Sequence, residues 1–71
     1  MIWHIHASDF DTFLQKEGFR PISHTADQTL YERDQHSFFV RRSTTLTQAE
    51  VDAICDANNL SPPPFDSFFG N

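Results

Sequence analysis

The second half of the chain contains a helix start that constrains the fold more than any other feature of the sequence. Thr47 and Glu50 have the spacing of a capping box, in which each side chain bonds the backbone N–H of the other residue. Leu46 before the cap and Val51 after it add the matching hydrophobic staple. The pattern predicts a helix from Thr47 to about Asn59, and any strands before it must end by this point.

A first helix is predicted near the N-terminus. Ser8 and Asp11 have the spacing of a second capping box, so we expect this helix to begin at Ser8. An apolar stripe at helical spacing follows. The stripe consists of Phe10, Phe13 and Leu14. Gly18 is typical of the left-handed residue that follows a helix, and it ends this one.

Three strands are predicted between the helices, at residues 19–24, 28–33 and 36–42. The polar segments between them are short, so the strands should form an antiparallel meander, with the proline-containing first strand at an edge. The fold class is therefore α+β, in the order αβββα, with two helices on one face of a three-stranded antiparallel sheet. Residues 1–60 form this domain, which includes a short N-terminal arm, either an edge strand or a packed segment. Residues 61–71 are a proline-rich break and an aromatic tail.

The size of the chain limits it to one hydrophobic core. A chain of 71 residues buries only about 60% of its unfolded surface. Cys55 is the only cysteine, and an unpaired thiol is typical of a reducing compartment, so we expect a cytoplasmic protein. No stretch approaches the roughly 18 apolar residues of a membrane span. Eight phenylalanines can supply the core, and formation of a homodimer is another way to bury apolar surface.

A helix that ends at Gly18-Phe19 precedes a hairpin ending in Leu30-Tyr31, an apolar strand and a final helix. This order, over about residues 9 to 60, resembles the HicA-like toxin domain. The resemblance implies a double-stranded-RNA-binding-like fold and a small ribonuclease, whose histidine follows a short turn at the start of the second strand. Gln28 occupies that position here, and glutamine cannot transfer a proton near neutral pH. The resemblance thus implies the fold of this family without its ribonuclease activity.

The four histidines suggest two alternative roles, a metal site and an acid–base pair for catalysis. His4 and His6 lie two residues apart, so on a strand they share a face and could both bind a metal. No regular zinc spacing accompanies them, and we expect no metal and no other cofactor. A divergent ribonuclease could use His24 and His36 as an acid–base pair, which requires both groups within reach of one substrate. Because no complete catalytic motif is present, the sequence favours a protein that is not an enzyme.

The charge of the chain argues against RNA as a partner. Ten acidic residues against five Lys and Arg give a formal net charge of −5. Binding to nucleic acid draws much of its affinity from neutralising phosphates. Arg41 and Arg42 are adjacent, and together with Arg33 they could form a small basic face, so an RNA-binding domain stays an alternative.

The aromatic tail is the main candidate for a binding site. It follows three consecutive prolines, which favour an extended conformation. Its dense group of side chains consists of Phe65, Asp66, Phe68 and Phe69. This group either completes the domain's own core or binds a partner, and Trp3 could add to the same surface. We expect a protein-binding module, which could inhibit a basic, nucleic-acid-handling protein through carboxylates that take the place of phosphates.

Overall fold

The computed structural model of this chain describes residues 3–61 and 69–70. In this part of the chain the helices are α1 (Ala7–Lys16) and α2 (Gln48–Ala57). The strands are β1 (Trp3–His6), β2 (Arg20–His24), β3 (Gln28–Arg33), β4 (His36–Arg41), β5 (Thr45–Thr47) and β6 (Phe69–Gly70). Among these residues, no helix has the length and the apolar character that a membrane crossing requires.

Strands β2, β3 and β4 form an antiparallel sheet in that order, which confirms the predicted meander and the α+β class. The β3–β4 hairpin is regular along its whole length. The β2–β3 pairing shifts its register between Pro21 and Ser23, which marks a β-bulge. Proline cannot donate a ladder hydrogen bond, and Pro21 is tolerated because β2 lies at the edge of the sheet.

A second antiparallel sheet, in the order β5-β1-β6, goes beyond the prediction. The N-terminal arm forms its central strand rather than an edge. Ile5 of β1 lies opposite Leu46 of β5, and His4 lies opposite Phe69 of β6. Strand β5 has three residues and leads directly into α2. A strand this short shows too little alternation of polar and apolar residues to be distinguished in the sequence from the start of the helix.

The end of α1 agrees with its prediction. Gly18 has a φ of +94°, a conformation that is costly for any residue with a Cβ atom. The Phe19 N–H donates to the Leu14 carbonyl at 2.9 Å. The Gly18 N–H donates to the Gln15 carbonyl at 3.0 Å. These are the two bonds of a Schellman motif, and they turn the chain so that Phe19 joins the core.

The start of α1 corrects the prediction. The helix begins at Ala7, its N-cap residue is His6, and Ser8 lies inside the first turn. The reason is that β1 runs directly into α1, and the Ala7 N–H donates to the Thr44 carbonyl at 3.0 Å. A backbone carbonyl from the loop before β5 thus replaces a capping side chain. The spacing of Ser8 and Asp11 has no capping role.

The predicted capping box of α2 is confirmed. Thr47 Oγ1 accepts the Glu50 N–H at 3.2 Å, and Glu50 Oε1 accepts the Thr47 N–H at 3.1 Å. Glu50 also accepts two hydrogen bonds of 2.8 Å each from Arg41 of β4. The Arg41 guanidinium, helped by Thr47, lowers the pKa of Glu50 to about 2. Asn59 ends the helix region in the predicted left-handed conformation, with a φ of +57°.

The core lies between the two helices and one face of the β2-β3-β4 sheet. The helices contribute Phe10, Phe13, Leu14, Val51 and Cys55. The strands and the turn after α1 contribute Ile5, Phe19, Tyr31, Val40 and Leu46. Both helices thus cover the same face of the sheet, as predicted, and the opposite face is left without a covering layer of described residues.

Candidate functional site

The uncovered face of the sheet carries exposed apolar side chains. Thr29 and Tyr31 of β3 are buried, so Leu30 between them points away from the helices. Val40 of β4 is buried, and Phe39 beside it points away in the same manner, with 55% of its surface exposed. Leu30 and Phe39 lie directly opposite each other. We call this surface the open face, and its residues are Gln28, Leu30, Glu32, Ser37 and Phe39.

Ile22 is an exposed apolar side chain on the third strand of the sheet. It lies at the bulge of β2 and is 49% exposed. Its neighbour Ser23 pairs with Leu30, and the bulge interrupts the regular alternation of side chains at Ile22. We call Ile22, Leu30 and Phe39 the apolar band. It crosses all three strands of the sheet.

Polar residues border the apolar band on both sides along the strands. On one side Arg20 of β2 pairs with Glu32 of β3. On the other side Gln28 pairs with Arg41 of β4. An apolar centre with a polar rim is the anatomy of a protein-binding surface.

The surface of the helices is acidic. Glu17, Asp52 and Asp56 are exposed. Burial, together with the weaker effect of these three carboxylates, raises the pKa of Cys55 to about 11. Cys55 is therefore a protonated core residue rather than a nucleophile.

A cleft of about 580 Å³ lies between the first turn of α1, the core face of the sheet and the loop after β4. Asp11 and Tyr31 are among its lining residues. The Tyr31 hydroxyl donates to Asp11 Oδ1 at 2.5 Å, and Gln15 Nε2 donates to Asp11 Oδ2 at 2.7 Å. Both oxygens of this carboxylate are thus held by the protein, and the contact ties α1 to β3.

The Tyr31–Asp11 contact can be tested by alkaline titration, because Tyr31 is the only tyrosine of the chain. Burial and the Asp11 carboxylate raise the pKa of Tyr31 well above its usual value of about 10. A raised folded-state pKa gives stabilisation that is complete below about pH 10 and is lost as the pH rises through the folded-state value. We expect tyrosinate absorbance to appear only well above pH 10. Asp11→Asn should lower the pH at which this absorbance appears, while burial of Tyr31 keeps that pH partly raised. A transition near pH 10 in the folded wild-type protein would contradict the contact.

The three arginines of the RNA-binding alternative are each bound within the protein. Arg33 Nη1 donates to the Glu17 carbonyl at 2.7 Å, at the end of α1. Arg42 Nη1 donates to the Thr25 carbonyl at 2.6 Å, in the β2–β3 turn. Arg41 holds the start of α2, as described above. Arg33 and Arg41 also lie at opposite ends of the β3–β4 hairpin, so the structure does not bring the three together.

The two histidines of the ribonuclease alternative lie on the outer strands and at opposite ends of the sheet. His24 pairs with Thr29 of β3, and His36 pairs with Arg33. These positions are separated by about 13 Å along β3 alone, at roughly 3.3 Å per residue. The register therefore does not bring the two imidazoles to one substrate. Gln28, where the family resemblance implies a histidine, begins β3 on the open face.

The histidines of β1 face the short strand β5. His4 lies opposite Thr47, and His6 lies opposite Thr45. Within residues 3–61 and 69–70, no three His, Cys, Asp or Glu side chains are grouped so that they could hold a metal ion.

Most of the aromatic tail lies outside the described residues, which leaves Phe65, Asp66 and Phe68 without a structural account. Trp3 and Phe69 are described only by their backbone. Phe69 and Gly70 form β6, which pairs with β1. The backbone near the end of the tail therefore returns to the domain.

Sequence reasoning misses the open face. The run Phe38-Phe39-Val40 is typical of a fully buried strand, and nothing within it shows which residue is exposed. The signal that could identify Phe39 is the combination of strand alternation with two helices on one face. That combination leaves every second residue of the central strands uncovered.

Comparison with known proteins finds no family, no curated protein and no solved structure that matches this chain. The resemblance to the HicA-like domain therefore stays a prediction, and the function has to be proposed from the residues of the site.

Proposed function

We propose that this protein is a non-catalytic protein-binding module that binds its partner on the open face of the sheet. The observation that carries the proposal is Phe39, which is 55% exposed opposite Leu30 on a face that neither helix covers. A fully covered aromatic side chain buries about 150–250 Å². Covering the exposed half of Phe39 removes roughly 100 Å² from water, which contributes about 2.5 kcal/mol before the cost of association.

The charge of the protein favours a basic partner. The net charge of −5 attracts a cationic protein and accelerates the encounter, and Glu32 adds an exposed carboxylate to the open face itself. A protein that handles nucleic acid has such a surface, and carboxylates can occupy it in place of phosphates. We therefore propose an inhibitor or regulator of that class of protein. The internal hydrogen bonds of Arg33, Arg41 and Arg42 favour this proposal over direct binding of RNA.

The aromatic residues at the ends of the chain remain the candidates for a second contact with the partner. They are Trp3, Phe65, Asp66, Phe68 and Phe69. The pairing of β6 with β1 places the backbone of Phe69 and Gly70 against the domain.

The test is affinity capture from the native host with three variants that each add one lysine. Ile22→Lys and Phe39→Lys place a charge on the apolar band, and we expect each to recover roughly tenfold less partner than the wild type. Gln35→Lys adds the same charge in the exposed β3–β4 turn and should keep the partner. Equal recovery by all three variants would overturn the open face as the binding site. Recovery of RNA instead of a protein would favour the RNA-binding alternative.

A further inference from the structure

The two edges of the β2-β3-β4 sheet differ in how well they are protected. Strand β2 contains Pro21 and a bulge, and both features prevent another strand from pairing with it. Strand β4 contains neither feature, and its pairing with β3 is regular over all its residues. Arg41, at its end, is its only Lys, Arg, Asp or Glu. A regular edge of six residues, three of them apolar, is a template for a further strand.

The chain's own C-terminal strand does not cover this edge. In the described residues β6 pairs with β1, in the other sheet. Within residues 3–61 and 69–70, the strand neighbour of β4 is β3 alone. A second copy of the chain offers a strand of the same length and pattern for this edge.

We propose that two copies of this protein form a symmetric dimer by antiparallel pairing of β4 with β4, centred on Phe39. An edge strand paired with its own copy is self-complementary about a two-fold axis, which is the commonest symmetry of protein dimers. The axis is perpendicular to the sheet, so the open faces of the two copies join into one face. This pairing is independent of the partner proposed above, and it doubles the apolar band that the partner would contact.

The register follows from the two faces of the strand and from its charge. Centring on Phe39 places it opposite Phe39 of the second copy, and Phe38 opposite Val40 of the second copy. Aromatic and β-branched pairs of this kind stabilise neighbouring strands. Arg41 then lies opposite the small, neutral Ser37 of the second copy. Parallel pairing in the same register would instead set the two Arg41 side chains beside each other, so the charge selects the antiparallel arrangement.

The first experiment is sedimentation of the purified protein up to millimolar concentration. The wild type should shift from monomer to dimer mass as its concentration rises. Phe39→Lys puts two like charges opposite each other at the axis and should weaken dimerisation roughly tenfold or more. Ile22→Lys changes an equally exposed residue on the opposite edge and should dimerise like the wild type. A wild type that stays monomeric, or two variants that behave alike, would overturn the dimer.

The second experiment tests the register by cross-linking with oxidised glutathione. Phe39→Cys places two thiols opposite each other, and we expect a covalent dimer. Ser37→Cys is on the same strand and face, but it places the two thiols about 13 Å apart along the strands. This variant should form little covalent dimer. Both positions are exposed, so the substitutions leave the core intact. Equal cross-linking of the two variants overturns the antiparallel register centred on Phe39.

The experiments can contradict the proposed dimer and the proposed binding of a partner independently of each other. Ile22→Lys is expected to lose the partner and to keep the dimer. If Ile22→Lys and Phe39→Lys both keep the partner and the wild type dimerises, the proposed function fails while the dimer stands. If the wild type is monomeric but Ile22→Lys still loses the partner, the dimer fails and the open face stands.

Discussion

Replacing Phe19 by alanine is expected to lower the free energy of unfolding by about 3–5 kcal/mol, the range for a buried phenylalanine. Phe19 is 1% exposed. Its ring meets that of Phe38 edge-on, with the centroids 4.9 Å apart, and the Arg33 guanidinium lies 4.4 Å from the ring centre. Both contacts contribute beyond the buried area. A domain of this length has a total stability of about 4–10 kcal/mol, so Phe19→Ala removes a large part of it.

Urea denaturation followed by circular dichroism measures this effect, and the chain offers a matched control. Phe39→Ala removes the same atoms from a side chain that is 55% exposed, and it should cost less than about 1 kcal/mol. The control is measured at low protein concentration, so that dimer formation does not contribute. Similar losses for the two variants would show that the faces of the sheet have been assigned wrongly.

Gly18→Ala is the second large effect, with an expected loss of about 1–2 kcal/mol. The reason is conformational, because the φ of +94° is unfavourable for a residue with a side chain. An alanine Cβ at this position would also lie 3.1 Å from Cδ of Arg33. Arg33 would have to shift, which disturbs its hydrogen bond to the Glu17 carbonyl. The same denaturation experiment measures the loss.

The control for Gly18 is the equivalent position after α2. Asn59 has a φ of +57°, and the Leu60 N–H beyond it donates to the Cys55 carbonyl at 2.8 Å, as in a Schellman motif. Asn59→Gly should stay within about 0.5 kcal/mol of the wild type. Glycine relieves the left-handed conformation but gives the unfolded chain more freedom, and the two effects oppose each other. A Gly18→Ala variant as stable as the wild type would exclude the strained turn.

The elements that the sequence predicts correctly are those with local signals. The capping box of Thr47 and Glu50, the glycine after α1 and the short turns of the meander each act within a few residues. Their interactions are the same in a short peptide as in the folded protein, so spacing alone identifies them. The α+β class follows from their order.

The start of α1 and the second sheet could not be predicted because they depend on residues far apart in the chain. Ser8 has the right spacing for a cap, yet the Thr44 carbonyl takes this role through a contact that no local pattern encodes. The sequence predicts β1 only as an edge strand or a packed segment, and β5, with three residues, is recognisable only once β1 is in place beside it.

The candidate site could not be predicted from the sequence for the same reason. The sequence directs attention to clustered aromatic residues near the C-terminus, whereas Phe39 stands inside an apolar run that resembles core. Its exposure depends on which face of the sheet the helices cover, and this is a property of the packed structure. The arginines likewise look available in the sequence, and only the structure shows the carbonyl and carboxylate groups that hold them.

The pairing of β1 with β5 has a consequence for the order of folding. The hairpins β2–β3 and β3–β4 each close a loop of a few residues, which costs little chain entropy. The contact of Ile5 with Leu46 joins positions about 40 residues apart and encloses α1 and the whole meander. Loop closure of that size is favourable only after the enclosed segment has become compact. We therefore expect the meander to form early, and the second sheet to pair last on folding and to open first on unfolding.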